Sequence, residues 1–251
     1  DARAAASAGA PLTPSPIAEH PAIRRILDTQ RAWIDAGRVV AYRTALELDI
    51  AHRHPDAKRR AAASRWCALV TPVLKAAWTD QAFQGASACL QVFGGHGYVS
   101  EWGIEQIVRD ARVAMIYEGT NEIQAIDLLL RKTLPDGGAA MADLLGDLAA
   151  DLAGRGGAAA TVVAHLEAFS RFLRERLLPR VAAPDAPADL PYWLADDFLR
   201  AVGLLLQAWA WARISNAPGC DPYAAAGTAF WRWIWPESSM RLAMMEATLA
   251  A

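Results

Sequence analysis

Three cysteines in 251 residues, Cys67, Cys89 and Cys220, lie far apart and form no paired spacing. That excludes a disulfide framework and a cysteine-based zinc site, and it fits a reducing, cytoplasmic setting. Cys67 and Cys89 fall in apolar helical stretches, where a buried, inert thiol is expected. No continuous apolar run is long enough to span a bilayer, and the opening residues show no signal-peptide pattern. Net charge is −2, so no electrostatic footprint for nucleic acid exists. The longest basic run, Lys58-Arg59-Arg60, reads as a solvated helix face. Runs of β-branched residues are scarce, which argues against a sheet.

What is present is apolar and helix-favouring. Hydrophobic residues make up 54% of the chain, enough for a substantial core and far from the range of disordered chains. Alanine and leucine lead the composition, and both lose little entropy in a helix. The expected fold is all-α, built from antiparallel helices joined by short loops.

The first 19 residues, Ala-rich and then broken by Pro11, Pro14 and Pro16, read as a linker, and with no initiator Met the chain reads as a fragment. Pro21 suits a first helical turn, and helical spacing predicts one helix from Ala22 to about His52. A second is predicted from about Ala57 to Phe93, kinked or broken at Pro72 and ended by Gly94-Gly95-His96-Gly97. A short helix from about Ile104 to Met115 leads into a turn at Tyr117-Glu118-Gly119-Thr120, after which Thr120 or Asn121 caps the next helix. Pro135-Asp136-Gly137-Gly138 marks the boundary between a domain over 20–134 and one over 135–251. Beyond it, helices are predicted at about Ala139–Leu152, Ala158–Leu178, Ala188–Asn216 and Tyr223–Ala250. Trp193, Trp209, Trp211, Trp231, Trp233 and Trp235 are expected to pack in cores and interfaces rather than stack on a ligand.

The stretch from Gln91 to Arg131 holds the candidate chemistry. Three glycines in four residues at a helix end are usually a cap, but they also let a backbone approach a cofactor. Glu118 follows an apolar helix and precedes a glycine. A carboxylate in an apolar wall has its ionised form destabilised, which suits a general base, while an exposed turn carboxylate is the commoner case. Gly119 leaves space beside it for a ligand. Arg109-Asp110-Ala111-Arg112 reads as a salt-bridged helix segment.

Taken in order, Gln-Val-Phe-Gly-Gly-His-Gly-Tyr, then Arg-Asp-Ala-Arg, then Ile-Tyr-Glu-Gly-Thr-Asn-Glu-Ile-Gln resembles the C-terminal signature of flavin-dependent acyl-CoA dehydrogenases. The resemblance covers about Pro21 to Leu134. It implies an antiparallel helical bundle and an enzyme that oxidises an acyl-CoA to the trans-2-enoyl-CoA, with Glu118 as the base that removes the α-proton. It also implies FAD, held by Gln91, Gly95 and the adjacent Gly94 from a neighbouring subunit and by Thr120 from the same one. Gly119 is implied at the substrate. Glu122 departs from the family pattern and is not expected to be a ligand, because an acidic group near a phosphate is unfavourable. His96 stands where Asn is commoner, and Gln106 where many members place a basic residue.

The region after Pro135 resembles an additional helical domain of one branch, whose members act on long or unusual acyl-CoAs, among them methylthio-propanoyl-CoA. The further implied partners are an electron-transferring flavoprotein and other copies of the chain, as a homodimer or homotetramer. Alternatives are an acyl-CoA oxidase, which would use the same Glu118, and a non-catalytic helical assembly or binding module. The N-terminal helical and middle β-domains of the family are missing here, so the chain alone is expected to bind FAD weakly and to show little activity.

Overall fold

The computed structural model describes residues 16–250, and these are helical with no strand. Most of the stretch read as a linker lies outside the described residues. Its last part forms a short 3-10 turn at Ile17–Glu19.

Helix α1 (Pro21–Arg53) starts where His20 Nδ1 accepts the Ala22 N–H at 3.3 Å with Pro21 in the first turn. Helix α2 (Ala57–Val92) starts where Asp56 accepts the Lys58 N–H at 2.9 Å. Side-chain oxygens and nitrogens at these positions satisfy helix donors that have no intrahelical partner.

The two helices run antiparallel. Gln30 meets Gln81, Trp33 meets Trp78 edge-to-face at 5.8 Å, and the Trp66 indole N–H reaches Thr44 at 3.1 Å. Small residues permit the approach: a Cβ on Gly37 would fall 2.1 Å from the Trp78 indole nitrogen. Helix α2 is continuous through Pro72, without the break that the proline allowed. Pro72 is buried, and the neighbouring Thr71 hydroxyl donates to the Cys67 carbonyl at 2.6 Å. Burial of the proline within the fold offsets a turn whose own backbone ladder lacks a donor.

Helix α3 (Ile104–Ala114) and the short α4 (Asn121–Ile126) follow, the latter passing into a π turn at Asp127–Arg131. The Pro135–Gly138 breaker is a true turn. Asp136 accepts the Gly138 and Ala140 N–H groups at 3.0 and 2.9 Å, so it caps α5 (Ala139–Leu152) from outside. Helix α6 (Ala159–Phe172) continues through a π turn at Leu173–Leu177 and a last turn at Leu178–Val181.

Helix α7 (Leu190–Ser215) is the centre of the molecule and is apolar almost all round, as a helix enclosed by others must be. Gly203 sits against Ala77 and Val73 of α2, where an added Cβ would lie 3.2 and 3.4 Å from them. Trp209 meets Trp66 edge-to-face at 6.0 Å, and its indole N–H donates to Asp151 of α5 at 3.0 Å. One hydrophobic core therefore runs from Ala32 of α1 to the C-terminal helix.

The final stretch, expected as one helix from Tyr223 to Ala250, is two: α8 (Ala224–Ala229) with a π turn at Phe230–Ile234, then α9 (Glu237–Ala250). Pro236 explains the division, because it cannot donate to the preceding turn. Trp209 and Trp211 are buried as expected, whereas Trp193 is 69% exposed, its indole N–H donating to Asp189 at 2.9 Å.

Candidate functional site

Glu118 lies on an exposed turn between α3 and α4 and has φ 54, the single positive φ at a non-glycine residue among those described. Left-handed backbone crowds the Cβ against the following carbonyl, so the turn must be held in place by its surroundings. Gly119 continues it at φ 87, and a Cβ there would meet the Gln124 side-chain amide at 2.9 Å. That amide also donates to the Glu118 carbonyl at 3.2 Å. The space beside Gly119 is thus occupied by Gln124 on its Cβ side.

Thr120 caps α4, its hydroxyl oxygen accepting the Ile123 N–H at 3.4 Å. Glu122 sits in the same first turn. Its own backbone N–H and the Thr120 hydroxyl hold its carboxyl below the usual range, with Arg112 and Lys75 adding to the effect.

The apolar residues flanking Glu118 are uncovered: Val113, Ile116, Tyr117 and Ile123 are each about half exposed. The carboxylate stands on the outer surface, beside hydrocarbon that the described residues leave half uncovered. Four residues to which the sequence assigned no part in the site define its support, Asn121 having been expected only as a possible helix cap. Asn121, Lys75, Thr79 and Gln124 all bond to the turn or to its ends. Lys75 gave one usable signal: it is the lone charge in the apolar stretch from Trp66 to Thr79.

Gln91, Gly94 and Gly95 form a separate group at the far end of α2. Gln91 is exposed on the last turn, Gly94 has φ 58, and nothing lies within 4 Å of a Cβ on Gly94 or Gly95. This is bare backbone, open to a flat ligand or another chain. Gly97, by contrast, is a packing glycine, since its Cβ would fall 2.6 Å from the Leu90 carbonyl. His96 meets Trp102 edge-to-face at 5.1 Å, which folds the loop back on itself.

The structure does not bring the two groups together. Glu118's turn is held at Lys75–Thr79, twelve to sixteen residues before Gln91 on the same helix, or about 18–24 Å at the rise of an α-helix. Arg109 pairs with Glu105 one turn back rather than with Asp110, and Arg112 lies over the Phe83 ring at 5.8 Å. Cys67 and Cys89 are half-buried rather than fully enclosed, and partial burial raises both thiols above their ordinary pKa.

A cavity of about 270 Å³ between α2, α7 and α9 is lined by Asp80, Arg200, Glu237 and Arg241. These charges already pair, Arg200 with Asp80 at 2.7 Å and Arg241 with Glu237 at 2.7 Å. Burial opposes the Arg200 charge, but the bonds to Asp80 and Asp196 outweigh it and raise its pKa. The seam joins helices. No helix among the described residues is long and apolar enough to cross a membrane.

With this geometry in hand, comparison with known proteins is specific. Residues 4–132 match the family model described as acyl-CoA dehydrogenase, C-terminal domain. The chain is 40% identical to 3-methylmercaptopropionyl-CoA dehydrogenase of Ruegeria pomeroyi over 159 residues, covering 62% of this chain and 27% of the relative. It is 36% identical over 136 residues to a broad-specificity linear acyl-CoA dehydrogenase of Mycobacterium tuberculosis, covering 53% and 22%. The chain thus spans about a quarter of the length of these relatives. The fold is similar to that of Caenorhabditis elegans ACDH-11, solved in complex with C11-CoA, at 19% identity and a TM-score of 0.56. That likeness covers 92% of this chain and 40% of the other, so it extends well past Pro135. With more than half of its residues matched by the model and the Gly-Gly-x-Gly and Tyr-Glu-Gly-Thr elements in place, the chain belongs to the acyl-CoA dehydrogenase family and carries its C-terminal helical domain.

Proposed function

We propose that this chain is the base-bearing part of an FAD-dependent acyl-CoA dehydrogenase in which Glu118 removes the α-proton of the thioester substrate. The observation that carries the reading is the Glu118 turn: an exposed carboxylate in a left-handed conformation, flanked by uncovered hydrocarbon. A strained polar residue on an otherwise apolar surface is a poor stabiliser of the fold and a good candidate for function. Covering that surface with an acyl chain and the rest of the enzyme takes water away from the carboxylate and strengthens it as a base.

In the reaction, the α C–H bond gives its proton to the Glu118 carboxylate, the β C–H bond gives up a hydride, and the α–β double bond forms. FAD, when bound, supplies the acceptor for that hydride, which no side chain can provide. The open backbone at Gly94 and Gly95, with exposed Gln91 beside it, suits contact with the FAD of a neighbouring subunit, and Thr120 suits contact with the FAD of its own. The separation of these groups along α2 supports such a shared arrangement, because one cofactor would otherwise have to span both. That makes a homodimer or homotetramer the working form. Gly119 lies at the substrate's thioester end, and an electron-transferring flavoprotein is the proposed electron acceptor. Hydrogen peroxide formed in step with substrate loss would instead mark an oxidase.

The test is Glu118→Gln in the full-length, flavin-loaded protein. Turnover is expected to fall by about 10³-fold or more, in line with loss of a positioned general base. Near-wild-type turnover in this variant would overturn the assignment.

A further inference from the structure

Asn121 is 6% exposed, although it opens a helix at the edge of an exposed turn. Its backbone N–H donates to the Met115 carbonyl at 3.1 Å, which closes the turn from 115 to 121. Its side-chain Nδ2 donates to the Ala76 carbonyl of α2 at 3.1 Å. Its Oδ1 accepts from the Lys75 ammonium at 2.9 Å. The Thr79 hydroxyl lies 3.0 Å from the same oxygen and 2.6 Å from the Lys75 carbonyl, so its one proton is shared between them.

Lys75 does more than meet Asn121. Its Nζ also donates to the Met115 carbonyl at 3.3 Å. One ammonium therefore holds both ends of the turn that carries Glu118. Partial burial keeps this ammonium below its ordinary pKa, while the charges of Glu122 and Glu118 draw it upward. Buried polar groups with several good partners fix a unique geometry, and leaving one unpaired is costly. The bracket is the means by which a left-handed Glu118 persists on an exposed loop.

We propose that Lys75 and Asn121 are positioning residues for Glu118. They clamp residues 115 and 121 to α2 and so set the direction of the carboxylate. The proposal rests on Glu118 being the base.

Two readouts test it. In this chain without flavin, Asn121→Ala and Lys75→Met are expected to speed amide hydrogen exchange at residues 116–121 by about tenfold or more, with the α7 amides unchanged. In the full-length, flavin-loaded protein, the same variants are expected to lower kcat by about a hundredfold with KM little changed, as for a misplaced reacting group. Asn121→Asp, which keeps the acceptor for Lys75, should lose less on both. Unchanged exchange and kcat in Asn121→Ala and Lys75→Met, beside an inactive Glu118→Gln, would overturn the bracket alone. Loss of protection spreading through α7 would show a fold defect in place of a freed turn and would also overturn it. Turnover that survives Glu118→Gln would mark failure of the base assignment itself and take the proposal with it.

Discussion

Helix α7 and the segment from Gln91 to Asn121 are both rich in apolar residues, yet the molecule treats them in opposite ways. In α7, Leu204 to Ala212 are all buried, and indoles, leucines and a glycine fill one continuous core. From Gln91 to Asn121 the apolar side chains Phe93, Tyr98, Val99, Trp102, Ile107, Val113, Ile116 and Tyr117 stay exposed. Glycines there take left-handed conformations, and one glutamate does too. Stability resides in the first region. The second is held by a few hydrogen bonds to α2 and presents its hydrocarbon outward. Large exposed apolar surface of this kind marks a place where something binds.

That contrast can be broken or sharpened by measurement. The largest effect on stability is expected at Trp209, which joins α7 to Trp66 and Asp151. Trp209→Ala should cost about 3–5 kcal/mol, read as a lower urea midpoint, because it leaves a cavity in the core and removes the indole bond to Asp151, which Arg213 still partners. A loss below 1 kcal/mol would show that α7 is not the stabilising region. A change in the other region should run the opposite way. Glu118→Gly relieves left-handed strain and loses some unfolded-state restriction, so a net gain of about 0.5–1 kcal/mol is expected. The same change should remove turnover from the full-length protein, and a destabilised Glu118→Gly would contradict the strain.

The smallest effect concerns acid. Glu122 is held below its usual pKa by its own N–H and by Thr120. A depressed carboxylate stabilises the fold at pH above its unfolded value of about 4.3, and that contribution disappears as pH falls through the folded value. Glu122→Gln should therefore lower the melting temperature slightly at pH 7 and flatten its fall below pH 5, so that the variant and the parent chain converge in acid. An unaltered acid profile would remove Glu122 from the account of the turn.

Much of this was readable in the chain. Local rules placed the starts of α1, α2, α3 and α5 at or within a residue of those observed, since proline, aspartate and glycine act on the backbone beside them. The same rules applied to Pro236 would have divided the last helix; the apolar run around it hid the break. Glu118 could be found through the order of motifs across the segment, and Gly94 as a left-handed position. Pro72 went the other way: a locally disruptive residue lies buried inside a helix that continues through it, so tertiary packing decided the outcome.

The sequence by itself determined that the chain is helical, where its helices begin, and that Glu118 lies at a turn between an apolar helix and a glycine. These follow from interactions between residues a few positions apart. Only the tertiary structure decided that Trp209 is enclosed while Trp193 is exposed, and that Lys75 reaches Asn121 across 46 positions. It also decided that the Gly94 and Glu118 groups stand well apart along one helix. Burial and long-range hydrogen bonds depend on which faces meet, and no local pattern in the chain encodes that meeting.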